Sequence, residues 1–211
     1  MKAAYVLISL AAIALIGGGV WFFTRSEKVA TCAELSMKPV VVAFGDSLVE
    51  GYGAGSGEDF VSVLSRDTGI PIQNLGRSGD TTATGLKRVK DVVALKPDIV
   101  IVLLGGNDAL QRINVAETEQ NLTEILRTIK NSGATPILVG VIGGFPSDPF
   151  APVFKRIAEG ERVVLIPNIL SGLITNKSLM SDAIHPNAAG YTKVAERIRP
   201  ELDKACTDFG G

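Results

Sequence analysis

The chain has 211 residues, 46% of them hydrophobic and 20% charged, with a formal net charge of -1. That length holds one ordinary domain with a full core plus a short appendage. A near-neutral chain without a basic cluster has no footprint for nucleic acid, and one histidine with two cysteines far apart in sequence cannot build a usual zinc site, so no metal or cofactor is expected.

Residues 1–24 read as an N-terminal membrane anchor. Ala3 to Phe23 carries no charge, lies between Lys2 and Arg25, and matches the roughly 20 residues a helix needs to cross a bilayer. A cleavable signal peptide is the alternative. Such a segment has a shorter apolar region followed by small residues, and Trp21-Phe22-Phe23 stands where those belong. Basic residues flank both ends, so charge alone does not orient the segment. The short N-terminus with Lys2 favours export of everything after it, to a periplasmic or extracellular site, with secretion if the segment is cleaved. Cys32 is separated from the apolar block by Arg25, Glu27 and Lys28, which argues against a lipidated cysteine. Residues 25–37 read as a polar tether and 38–206 as the domain.

Within the domain, apolar runs rich in valine and isoleucine predict buried parallel strands at Val40 to Phe44, Asp98 to Leu104, Pro136 to Val141 and Arg162 to Ile166, with a weaker one at Ile70 to Leu75. Helical spacing links Phe60, Val61 and Leu64; Leu86, Val89, Val92 and Val93; Leu122, Ile125, Leu126 and Ile129; and Tyr191, Val194, Ala195, Ile198 and Leu202. Strand and helix alternate, which implies a parallel sheet covered on both faces, an α/β fold of three layers.

The first strand breaks into Gly45-Asp46-Ser47, placing Ser47 just past its carboxyl end, where open parallel sheets bind ligands. A serine is a nucleophile only if a base takes its proton, and the chain's single histidine, His185, stands three residues after Asp182. A lone histidine is more often structural than catalytic; here it closes a set. Gly79 lets its backbone amide approach a ligand, the alternative being a plain turn with Asp80 capping a helix. Asn107, in Gly105-Gly106-Asn107-Asp108 after the most apolar strand, supplies a second donor or is simply an asparagine in a turn. Asp46 is too close to Ser47 to serve the same imidazole and is expected to hold the loop. No Gly-x-Ser-x-Gly surrounds Ser47, which argues against the α/β-hydrolase elbow.

These stretches resemble the four sequence blocks of the SGNH (GDSL) hydrolases, with bacterial thioesterase I/arylesterase-type members as the nearest likeness. The resemblance spans nearly the whole domain. It implies a mostly parallel, flavodoxin-like five-stranded sheet, a catalytic triad of Ser47, Asp182 and His185, and an oxyanion hole from the amides of Ser47 and Gly79 with the Asn107 side chain. It further implies a serine esterase acting on small-molecule carboxylic esters or thioesters, arylesterase-, thioesterase- or lysophospholipase-like, with a monomer expected. A deacetylase of envelope polysaccharide and a non-catalytic binding module are the rival readings; intact blocks speak against the second. The loop Ile142 to Phe150 leaves a strand end toward the crevice, with Phe145 or Phe150 as a wall of the acyl site or as an anchor for a solvent loop. Cys32 precedes the first strand and Cys206 closes the last helix. In such a fold both lie where strands begin, so a disulfide between them is expected, with two free thiols as the alternative.

Overall fold

The computed structural model describes residues 31–141 and 150–209. Five strands, β1 (Val41–Gly45), β2 (Ile72–Gly76), β3 (Ile99–Leu103), β4 (Thr135–Val139) and β5 (Val164–Ile166), form one sheet in the order β2-β1-β3-β4-β5. All neighbours pair in parallel. Every residue of β1 and β3 is buried, as expected for central strands covered on both faces. Edge strand β2 is half exposed and correspondingly polar, so its sequence signal is the faint one.

Alternate residues of each strand enter different cores. Val41, Ala43, Ile99, Ile101 and Leu103 pack with α2 (Phe60–Thr68) and α7 (Ala188–Phe209). Val42, Phe44, Val100, Val102 and Leu104 pack with α3 (Thr82–Ala94), α5 (Val115–Asn131) and α6 (Ala151–Glu161). The two short helices α1 (Ser47–Glu50) and α4 (Gly106–Leu110) start at the carboxyl ends of β1 and β3. Sheet order reverses between those strands, so both helices open onto the switch-point crevice.

Several details differ from the sequence reading. The cap of α3 is Thr81, whose side chain accepts from the Thr84 amide, and not Asp80, whose carboxylate turns to Arg88 instead. The last helix agrees with a start near Asn187: it begins at Ala188, with Asn187 Oδ1 accepting from the Gly190 amide at 3.1 Å. Helix α6 was not foreseen although Val153, Phe154, Ile157 and Ala158 recur at helical spacing and are buried. β4 ends at Val139, and Gly140 beyond it still bonds the neighbouring chain, donating to the Ile166 carbonyl at 2.8 Å and accepting the Ile169 amide at 3.0 Å.

Cys32 and Cys206 are bonded, with Cα atoms 5.2 Å apart, and close a sequence separation of 174 residues. The link clamps the start of the domain to the last turns of α7. The apolar block Ala3 to Phe23 and the loop residues 142–149 lie outside the described residues. Among the described residues, no helix is long and apolar enough to cross a membrane.

Candidate active site

Gly45 ends β1 where a side chain would run into the Leu103 carbonyl and Val49, so the chain can fold back tightly only with glycine there. Asp46 then caps α1, its Oδ1 accepting from the Leu48 amide at 3.0 Å, and Ser47 stands at the helix start facing the crevice. Asp46 does hold the loop.

On the opposite side, the segment before α7 is organised by its own carboxylate. Asp182 Oδ1 accepts the amides of Ile184 at 2.8 Å and His185 at 2.7 Å, while its Oδ2 lies 2.7 Å from His185 Nδ1. The three-residue spacing lets one side chain cap the turn and hold the ring. His185 Nε2 then sits 3.0 Å from Ser47 Oγ across 138 residues of sequence. With its Nδ1 proton directed at a carboxylate, the ring offers Nε2 as an acceptor to the serine hydroxyl. Burial opposes ionisation of Asp182, but the two amides and the imidazole together hold its carboxyl below the usual range. The Tyr52 ring lies against the imidazole at 4.6 Å between centroids, and its carbonyl accepts the buried Tyr191 hydroxyl at 2.8 Å.

Gly79 has φ of 84° and an added Cβ would meet nothing within 4 Å, so backbone conformation and not crowding demands glycine. The amides of Ser47 and Gly79 donate to no partner among the described residues. Asn107 Nδ2 donates to the Asp80 carbonyl at 2.9 Å, which uses one of its two amide hydrogens and fixes the side chain. Ser47, Asp182 and His185 are thus brought together, with Asn107 tied to the residue after Gly79.

Residues 43–193 match the model of the GDSL-like lipase/acylhydrolase family. The chain belongs to that family. As a carboxylic ester hydrolase of this kind, it is 30% identical over 174 residues to esterase TesA of Pseudomonas aeruginosa, an alignment covering 77% of this chain and 87% of the relative. It is 28% identical to thioesterase 1/protease 1/lysophospholipase L1 of Escherichia coli strain K12, covering 77% and 82%. The crystal structure of AlinE4, an SGNH-hydrolase family esterase, superposes with a TM-score of 0.64 at 34% identity, covering 82% of this chain and 98% of that one.

Beside Ser47 and His185 of this hydrolase a cavity of about 520 Å³ opens between apolar walls that include Leu48, Ile113, Val115, Phe150, Leu170 and Ile174. Phe150 is a buried wall of it, while Phe145 lies outside the described residues. Leu110, 60% exposed, and Ile184, 38% exposed, flank the opening.

Two features of the site have no local sequence signal. Asp108 is fully buried, its Oδ2 accepting the Thr82 amide at 2.8 Å and its Oδ1 the hydroxyls of Thr82 at 2.5 Å and Thr118 at 3.0 Å. It fastens α4 to the starts of α3 and α5. Burial pushes the Asp46 carboxyl up to about 7, against the pull of the Leu48 amide, and the nearby charges of Asp80 and Asp108 add to the rise.

Proposed function

We propose that this hydrolase cleaves small-molecule carboxylic esters or thioesters through an acyl-enzyme on Ser47. His185 Nε2 takes the serine proton as the hydroxyl oxygen attacks the carbonyl carbon, and Asp182 holds the ring and stabilises the imidazolium. The carbonyl oxygen becomes an oxyanion facing the Ser47 and Gly79 amides and the second Asn107 hydrogen. Collapse expels the alcohol or thiol with the proton from His185. Water then repeats the sequence and frees the acid. The observation that carries this reading is the continuous line Asp182, His185, Ser47 at 2.7 and 3.0 Å.

The apolar cavity supports an acyl chain as the part of the substrate bound there. Burial of each methylene contributes about 0.8 kcal/mol, so kcat/KM should rise from p-nitrophenyl acetate through the medium-chain esters before the cavity is filled. A profile that falls steadily from acetate would favour the deacetylase alternative. Names of the relatives, an esterase and a thioesterase/lysophospholipase, support the same substrate class. Export of the domain by an N-terminal anchor remains part of the proposal, supported by the uncharged block Ala3 to Phe23 and by the Cys32–Cys206 bond, which belongs to oxidising compartments.

A further inference from the structure

We propose that Arg88, on the second turn of α3, is a positioning residue of the oxyanion hole; this rests on the roles given above to Ser47, Gly79 and Asn107. Its guanidinium lies at the carboxyl ends of β1 and β2, which pair as far as Gly45 and Gly76. Nε pairs with Asp80 Oδ2 at 2.5 Å, Nη1 donates to the Leu75 carbonyl at 2.9 Å, and Nη2 donates to the Gly45 carbonyl at 2.7 Å. The flat face of the group rests on the Phe44 ring at 4.4 Å.

Two of those partners adjoin a donor. Gly45 precedes Ser47 by two residues, Asp80 follows Gly79 directly, and the Asp80 carbonyl is what Asn107 Nδ2 holds at 2.9 Å. Just past the ladder the Gly45 carbonyl also accepts the Arg77 amide at 3.1 Å and the Ser78 amide reaches Glu50 Oε2 at 2.6 Å; Arg88 adds the link that ties the Gly45 carbonyl to the Asp80 side chain. Its planar fork of donors reaches three acceptors at once, which a lysine ammonium on a flexible stem cannot reproduce. The side chain is mostly buried, 15% exposed against 6% for Asp80, so solvent does not substitute for it. Donors that act on the transition state tolerate little displacement, and a shift of about 1 Å can cost about 100-fold.

The test is Arg88→Lys in the full chain, assayed beside Ser47→Ala and Asn107→Ala. Arg88→Lys should lower kcat by about 10- to 100-fold with KM within about 3-fold, and weaken a tetrahedral boronate inhibitor by a similar factor. Combined with Asn107→Ala it should lose far less than the product of the single losses, because the two act on one hole. Folded Arg88→Lys with full turnover, or a fully multiplicative double variant, overturns the proposal. If Ser47→Ala keeps activity, the triad itself falls instead. Should Arg88→Lys fail to fold, Asp80→Asn is used. It keeps the carbonyl for Asn107 while weakening the hold on Nε, and is expected to lose about 3- to 10-fold in kcat; unchanged kcat there also overturns the proposal.

Discussion

The two halves of the site are held in different ways. On the Ser47 side, a side chain from α3, a buried carboxylate on α4 and an asparagine amide join segments far apart in sequence, among Asp46, Asp80 and Asp108, which are all buried. On the His185 side, Asp182 is 44% exposed and organises its own turn through neighbours two and three residues away. The donor half is rigid through tertiary structure and the base half through local hydrogen bonding. Rigidity is needed where charge develops, since an oxyanion gains only from donors already aimed at it, whereas a base needs one orientation of one ring.

Removing the atoms on which the two halves meet should cost most. Ser47→Ala and His185→Ala are each expected to lower kcat by at least about 10⁴-fold, and the double variant little further, since the pair acts as a unit. Asn107→Ala removes one donor from the rigid half, with an expected loss of about 10²- to 10³-fold in kcat and little change in KM. Lost stability with near-normal turnover would make Asn107 a turn residue only; thermal melts beside the kinetics distinguish the two.

Smaller effects separate the site from its scaffold. The Cys32–Cys206 bond closes 174 residues at the end of α7 remote from its start beside His185. Its reduction should cost about 2–5 kcal/mol in denaturant unfolding while folded molecules keep their specific activity. Asp46 is the subtlest probe. Its carboxyl is raised to about 7 in the folded protein, above the unfolded value of about 3.9, so the folded state holds the proton more tightly and stability falls as pH rises between these values. Asp46→Asn, which keeps an acceptor for the Leu48 amide, should therefore gain about 1–3 kcal/mol relative to the parent at pH 8 and almost nothing at pH 4. Equal effects at both pH values would mean that the carboxylate is not penalised by its burial.

The same contrast explains what could be read from the sequence. The Asp182-to-His185 turn is legible because its bonds span three residues, and β1 and β3 because central parallel strands are apolar without interruption. Ser47 and Asn107 were legible as residues just past strand ends. Arg88 was not: an arginine on an amphipathic helix gives no sign that it points at the ends of two strands. Nor did Asp108 announce that it binds two helix starts, because Thr82 and Thr118 lie 26 and 10 residues away. Asp80 could be read only as an alternative helix cap, because an acidic residue before a helix suits that role and the competing arginine comes from eight residues on. Helix α6 had the right spacing but follows a stretch of sequence rich in glycine and proline, which masked its start.

The central claim is that Ser47 is the nucleophile and that His185 makes it one. Labelling the full chain with a fluorophosphonate and mapping the modified peptide tests it most directly. The expected result is a single adduct on Ser47, formed at least about 10³-fold more slowly in His185→Ala because the hydroxyl has lost its base. Labelling at another residue, or an unchanged rate on Ser47 in His185→Ala, would contradict the claim.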